Sequence, residues 1–342
     1  MKLGNGIASL QRKPLARVMV LATGGTIAGE AVSPVDAGYR SGAVGIDTLL
    51  DAVEGVRSVA IVAGEQVTQA GSQDVNDALW LKLAARITEL FDRDEADGVV
   101  VTHGTDTAEE TGYFLHLVVK SPRPMVLTGA MRPATALSAD GPLNLYNAVA
   151  VAGHADAHGH GAMLVVNDDI HSAREVTKTS TTDVQTFVST GPGLLGIATF
   201  GRVRLFRTPM RRHTVISALS VDGLTALPRV DILYSYAGMP ADLIEASVTR
   251  GARGIVIAGV GNGNIPQPVA GALVEAARAG ITVVRSTRVV SGEVARNVEV
   301  DDDACGFVAA DQLNPQKSRV LLQLCLANGI GGDDVQEAFY RY

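Results

Sequence analysis

Short apolar runs alternate with longer segments of helical period along most of this chain. Val18–Ala22, Gly98–Val101, Met125–Leu127 and Met163–Val166 contain no charged residue. Such runs suit strands covered on both faces, as in a parallel sheet. Between them, Asp74–Phe91 sets Val75, Leu79, Leu83, Ile87 and Leu90 on one face. That spacing predicts a helix with Asp74 as its cap. Ala108–Val119 predicts a second helix, opened by Glu109 and Glu110 where negative charge suits the helix dipole. Leu143–Ala152 predicts a third. This alternation predicts a mostly parallel sheet with helices on both faces.

The rhythm lapses over Thr199–Leu227, where Arg202, Arg204, Arg207, Arg211, Arg212 and His213 follow no period. It resumes with strands at Asp231–Tyr234, Ile255–Ala258 and Ile281–Val284. Helices are expected at Leu243–Thr249, Ala270–Ala279 and Arg319–Ala327. The expected fold class is α/β, in two α/β domains. A larger N-terminal domain over 17–206 carries the mostly parallel sheet with flanking helices. A linker spans 207–228, and a smaller parallel α/β domain spans 229–342. A chain of 342 residues is more than one core comfortably holds.

Composition adds exclusions. Hydrophobic residues are 46% and charged residues 19%, as in an ordinary globular protein. A formal charge of −7 argues against nucleic acid or an anionic membrane as the main partner. No segment offers the ~18 uninterrupted apolar residues of a membrane span. Met1–Pro14 holds Lys2, Arg12 and Lys13 and lacks a signal-peptide core. The expected location is therefore cytoplasmic, or periplasmic if a leader has been removed. Cys305 and Cys325 are too few for a disulfide scaffold and are expected as buried small apolar residues.

Chemistry concentrates where strands end. Leu21-Ala-Thr-Gly-Gly-Thr-Ile-Ala-Gly29 and Thr102-His-Gly-Thr-Asp-Thr107 each follow an apolar run. Loops leaving the carboxyl ends of strands form the ligand crevice of an open α/β sheet, which places Thr26, Thr105 and Asp106 there. Lys178, among the hydroxyls of Glu175–Asp183, follows a strand-like Val-Thr and is a candidate if it turns inward. His103 is expected as a ring packed beneath its loop in preference to a base. The run Gly259–Pro266 fails as a dinucleotide fingerprint, because Asn264 replaces the third glycine and Pro266 disturbs the receiving helix. A tight turn presenting Asn262 or Asn264 is expected instead. His154, Asp156, His158 and His160 lie among Gly153, Gly159 and Gly161, so a solvated loop is favoured over a metal site.

The two threonine motifs, with Gly64–Val67, Gly71–Asp74, Gly129–Pro133, Ala139–Ala148, Val176–Thr179, Gly259–Asn264 and Leu313–Lys317, resemble the bacterial L-asparaginases. The likeness runs in order from about Val18 to the C-terminus and looks type II-like. It implies a Thr26 nucleophile, with Tyr39 on a mobile flap (Glu30 to Gly45) above it. It implies a Thr105-Asp106-Lys178 triad, with Ser72, Gln73, Asp106 and Ala130 binding the substrate L-asparagine. Asn264 and Glu299 would reach in from a neighbouring subunit of a homotetramer, a dimer of intimate dimers. No cofactor, metal, nucleic acid or membrane partner is implied. Phe91 and Ser121 stand near the positions of a cysteine pair that some periplasmic members bridge. The flap interior Val32–Asp36 is individual, which implies its own gating.

The implied reaction is hydrolysis of L-asparagine to L-aspartate and ammonia through a threonine acyl-enzyme, with glutamine a poorer substrate. The alternatives are a glutaminase-asparaginase of broad specificity, a nucleotide or dehydrogenase enzyme on the same scaffold, and a catalytically silent amino-acid sensor. The failed glycine fingerprints count against the nucleotide enzyme. The presence of Thr26, Thr105, Asp106 and Lys178 together counts against the sensor.

Overall fold

The computed structural model describes residues 14–33 and 38–342. The readings of residues 1–13 and of flap positions 34–36 lie outside the described residues.

The N-terminal part begins with β1 (Arg17–Gly24) and the short strands β2 (Glu30–Ala31) and β3 (Tyr39–Arg40). Helices α1 (Ile46–Ala52) and α2 (Val56–Val59) lead to β4 (Ile61–Ala70). Then come α3 (Asp77–Asp92), β5 (Gly98–Thr102), α4 (Ala108–Val118), β6 (Met125–Thr128) and α5 (Gly141–Ala152). Seven strands follow with no helix longer than one turn among them: β7 (Ala162–Val166), β8 (Asp169–Ser172), β9 (Val176–Lys178), β10 (Phe187–Ser189), β11 (Gly196–Thr199), β12 (Arg202–Leu205) and, after the connection, β13 (Val230–Tyr234). The C-terminal part continues with α6 (Asp242–Thr249), β14 (Gly254–Gly259), α7 (Gln267–Arg278), β15 (Thr282–Thr287), α8 (Asp302–Cys305), β16 (Phe307–Ala309), α9 (Pro315–Ala327) and α10 (Asp333–Arg341).

The larger sheet has eight strands in the order β12-β11-β8-β7-β6-β5-β1-β4. Its β4-β1-β5-β6-β7 half is parallel, and the β8, β11 and β12 pairings are antiparallel. The smaller sheet, β13-β14-β15-β16, is parallel throughout. The fold is thus α/β, with a large mostly parallel N-terminal sheet and a smaller parallel C-terminal one.

Alternation along the strands divides the core. In β5, Val99 and Val101 join the cluster under α3 and α4, while Val100 joins the cluster on the opposite face with α5. This is the period of two that a sheet buried on both faces requires. The α3–α4 cluster continues through Val320, Leu321 and Leu324 of α9 to Val256 and Val284 of the smaller sheet. The two sheets are therefore joined by one apolar core, with α9 packed on α4, β13 and β14.

Several sequence expectations are corrected. Asp74 belongs to a one-turn 3₁₀ helix, and α3 starts at Asp77, capped by Asn76, whose Oδ1 accepts from Leu79 N at 3.1 Å. The β4 strand went unforeseen, because its Gly64-Glu-Gln breaks the apolar run. Part of the segment read as lacking rhythm is β12, whose exposed and half-buried residues form the sheet's antiparallel edge. Cys325 is buried, but Cys305 is only half-buried. In the histidine-rich loop, His160 is buried instead of solvated.

Candidate active site

The site forms where the loops after β1, β4, β5 and β6 meet. Two glycines make that meeting possible. Gly25 has a φ of 82°, and a Cβ there would lie 2.3 Å from Gly104 N. A Cβ on Gly104 would in turn meet Ser72 Oγ at 2.6 Å. No other residue type permits both the left-handed backbone and the approach. Gly25 N donates to Ala70 O at 3.0 Å, which ties the β1 loop to the end of β4.

Thr26 opens a 3₁₀ turn directly after these glycines and is 7% exposed. Its Oγ1 lies 2.6 Å from Tyr39 Oη. Tyr39 comes from the β2–β3 hairpin, where it pairs with Ala31. Lys178 ends β9, and its Nζ donates to Thr105 Oγ1 at 2.9 Å and to Asp106 Oδ1 at 2.7 Å. Thr105 is buried, while the Asp106 side chain is open to solvent. Asp106 N donates to Ser72 Oγ at 3.2 Å, so Ser72 holds the loop that presents the carboxylate.

Thr26, Tyr39, Thr105, Asp106 and Lys178 line one cavity of about 540 Å³. Arg132, Leu137, Ser138, Thr181 and Thr182 also line it, beside Met131, Pro133 and Ala136, and none of them is a candidate site residue from the sequence. The first three follow β6 at its carboxyl end, so the crevice rule that found Thr26 also points to them. Asp140 fixes that loop by accepting from Met131 N and Arg132 N, both at 2.9 Å. Asn144 assists by donating to Gly129 O at 3.0 Å.

Ser72 and Ala130 are buried and do not line the cavity. Gln73 is exposed, with its amide donating to Asp74 Oδ2 at 3.2 Å. Asn264 and Glu299 belong to the smaller sheet's loops and do not line this cavity within the chain. They meet each other instead, Asn264 Nδ2 donating to Glu299 Oε2. The Gly259–Pro266 run is a tight turn closed by the Val260–Asn264 bridge, followed by α7 with Pro266 at its cap.

His103 is fully buried below the site. Gly104 O can only accept, so His103 Nδ1 carries the proton it donates there at 2.7 Å, and Nε2 accepts from Thr111 Oγ1 at 2.9 Å. Burial holds this imidazole below its ordinary pKa, so it is a neutral ring supporting the loop. His154 Nδ1 accepts from Asp156 N at 3.3 Å, and no group of three or more metal-capable side chains occurs among the described residues.

The constellation can hold a small polar substrate against a hydroxyl in contact with a phenol. A second hydroxyl, hydrogen-bonded to an ammonium and backed by a carboxylate, stands in the same wall. Comparison with known proteins gives this geometry a context. Residues 17–211 match the family model described as "Asparaginase, N-terminal", and residues 229–339 match "Glutaminase/Asparaginase C-terminal domain". A Haemophilus influenzae protein named "Probable L-asparaginase periplasmic" is 47% identical over 98% of this chain and 96% of its own. A Pseudomonas fluorescens protein named "Glutaminase-asparaginase" is 43% identical over 96% of this chain and 91% of its own. The solved structure of a "Probable Cytoplasmic L-asparaginase" from Campylobacter jejuni superposes with a TM-score of 0.92 at 45% identity, covering 96% of this chain and all of that one.

Proposed function

We propose a function for this chain, which belongs to the asparaginase family: it hydrolyses L-asparagine to L-aspartate and ammonia through a threonine acyl-enzyme. The observation that carries the reading is one cavity holding the Thr26–Tyr39 hydroxyl contact and the Thr105–Lys178–Asp106 chain. A threonine hydroxyl is a weak nucleophile until a neighbour accepts its proton. Tyr39 Oη, at 2.6 Å, is that neighbour, accepting the Thr26 proton as its own phenol proton passes to the leaving nitrogen. Thr26 Oγ1 adds to the side-chain amide carbon, and Oγ1–C forms as the C–N bond breaks. The leaving nitrogen takes up a proton and departs as ammonia. Water then adds to the acyl carbon, and aspartate leaves with Thr26 restored. Backbone N–H groups of the Gly104–Thr105 and Gly129–Ala130 loops are the proposed donors to the oxyanion.

Substrate grip completes the proposal. Ser72 and Gln73 serve the α-carboxylate, and Asp106 the α-ammonium, with Asn264 and Glu299 supplied by a neighbouring copy in a homotetramer. Fixing both charged ends brings the amide to Thr26 without a search through orientations. Two observations support the shared site. Asn264 and Glu299 stand outside their own chain's cavity, and apolar Tyr234, Tyr236, Val289, Val290 and Val298 are exposed in the same unit. Exposed apolar groups of that kind mark association surfaces. In this reading 17–206 is the catalytic domain, 207–228 a linker, and 229–342 the domain that serves the neighbour.

The proposed compartment is the cytoplasm. Free thiols at Cys305 and Cys325 suit reducing conditions, and cell fractionation tests the assignment. No helix among the described residues is long and apolar enough to cross a membrane. Broad glutaminase-asparaginase specificity is the second reading, favoured by the relative of that name. Ammonia release from L-Asn, L-Gln and D-Asn, measured side by side, decides between them. Equal turnover of L-Gln selects the second reading, and no release from L-Asn overturns the proposal. Activity is expected to be unchanged in EDTA, since hydroxyl, carboxylate and ammonium groups suffice for the chemistry. Loss in EDTA with recovery on adding Zn²⁺ would contradict that.

A further inference from the structure

Behind Asn264 and Glu299 lies an ion pair with no contact to solvent. Arg285, on β15, and Asp302, at the start of α8, both have side chains 0% exposed. Arg285 Nε and Nη2 donate to the two oxygens of Asp302 at 2.8 and 2.7 Å, a bidentate fork. The remaining donors reach two separate loops. Nη1 donates to Asn262 O at 2.5 Å, in the turn that ends with Asn264. Nη2 also donates to Ala295 O at 2.9 Å, in the segment that leads to Glu299. Asp302 Oδ2 accepts from Asn297 N at 2.9 Å, two residues before Glu299. Asn262 Oδ1 accepts from Ala295 N at 2.9 Å and links the two loops directly. The packing is close: a Cβ on Gly263 would lie 2.9 Å from Arg285 Nη1.

We propose that the buried Arg285–Asp302 pair is a positioning device that holds Asn264 and Glu299 in register, and thereby sets the affinity of the neighbouring site for the substrate's α-ammonium group. The proposal rests on the reading that Glu299 reaches that ammonium. A buried ion pair is a poor source of net stability, because desolvation opposes the attraction. Its value here is directional. The guanidinium fork has fixed geometry, so two loops that touch it are fixed to each other, and their exposed ends present a preformed pair. Lysine keeps the charge but offers no planar fork. Neither Arg285 nor Asp302 touches the Thr26 cavity, so chemistry after binding is left alone.

The test is steady-state kinetics on the intact oligomer for Glu299→Gln, Arg285→Lys, Asn262→Ala and the double variant Arg285→Lys/Glu299→Gln. Asn262→Ala leaves the ion pair in place and cuts only the loop-to-loop tie, so it reports even if Arg285→Lys fails to fold. The expected result is a KM for L-Asn raised ~5-fold or more in each single variant, with kcat within about threefold of the parent, the pattern of lost positioning before the chemical step. In the double variant the Arg285→Lys effect on KM should largely vanish, because residues acting through one another are not additive. If Glu299→Gln leaves KM unchanged, the ammonium reading falls and the proposal with it. If Glu299→Gln raises KM while the folded Arg285→Lys and Asn262→Ala proteins keep the parent value, the positioning role alone is overturned. Full additivity in the double variant also overturns it.

Discussion

Thr26 Oγ1 has one close hydroxyl neighbour, Tyr39 Oη, and the Thr105 hydroxyl has the Lys178 ammonium. In the proposed mechanism the two pairs would divide the proton handling of acyl-enzyme formation and its hydrolysis. Removing a nucleophile or its relay typically costs orders of magnitude in rate. Thr26→Ala and Lys178→Met should therefore each lower kcat for L-Asn by roughly 10²–10⁴-fold or more. Turnover like the parent's in either folded variant would refute the assignment. Asp106 is not expected to behave as simply. Its carboxylate both orients Lys178 and stands beside the proposed substrate ammonium, so Asp106→Ala should raise KM as well as lower kcat, which a KM-against-kcat comparison will show.

At the scale of elements, Lys178 is held from beneath. Its neighbour Thr177 donates to Glu109 Oε1 at 3.2 Å, and Glu109 stands in the first turn of α4. From α9 and its cap, Gln316 and Asn314 donate to the same carboxylate at 3.1 and 2.8 Å. Lys317 Nζ lies 3.4 Å from Glu109 Oε2 and donates to Val176 O of β9. Glu109 and Lys317 are both almost fully buried, so each needs the other. Lys317→Met should leave an uncompensated buried carboxylate and destabilise the fold by about 3–5 kcal/mol, the usual penalty for breaking a buried pair. Urea unfolding measures it, and a loss under ~1 kcal/mol would contradict the account. Helix α3 offers a smaller case: Asn76→Ala removes its N-cap and should cost about 1 kcal/mol.

Across the whole molecule, four buried histidines are held in the neutral state. Burial lowers the pKa of His103, His116 and His213, and brings His171 down to about 4. These groups bind no proton in the folded chain at pH values where the unfolded chain does. Above the ordinary histidine pKa of about 6.5 both states are neutral and nothing is lost. Below it the unfolded state takes up protons first, so stability falls as pH drops, for His171 down to about 4. The slope contributed by each such group is about 1.4 kcal/mol per pH unit. Urea midpoints should therefore fall steadily from pH 6.5 to 4, and His171→Asn should flatten that slope by about one proton's worth. An unchanged slope would show that His171 titrates normally. The proposed sharing of the site between copies makes a second prediction at this scale. Mixed oligomers reassembled from inactive Thr26→Ala chains and weakly binding Glu299→Ala chains, assayed at L-Asn well below KM, should exceed the activity of both parents, because one site of a mixed pair inherits both defects and its partner site neither. No such excess in verified mixed oligomers would show that each chain builds its own complete site.

The sequence alone determined the α/β class, the parallel strands β1, β5, β6, β7, β13, β14 and β15, and the threonine motifs. Uncharged apolar runs have few fates other than strands buried on both faces, and the loop after such a strand opens at the crevice end. Thr26, Thr105 and Asp106 were legible for that reason, and Lys178 from its place at a strand end. The cap at Asn76 was not, because Asp74 and Asn76 are both good caps and only the 3₁₀ turn at 72–74 decides between them. Strand β4 and the antiparallel edge at β12 were missed because their residues are of mixed polarity, and pairing is a long-range choice. Only the tertiary structure set Lys178 between Thr105 and Asp106, 72 positions and more away along the chain, and brought the 131–138 and 181–182 segments into the same wall. It alone revealed the buried pairs Arg285–Asp302 and Glu109–Lys317, since a charged residue in sequence gives no sign of which opposite charge will meet it in the core. Local patterns specify what a segment can be, and the folding of distant segments against one another specifies what it touches.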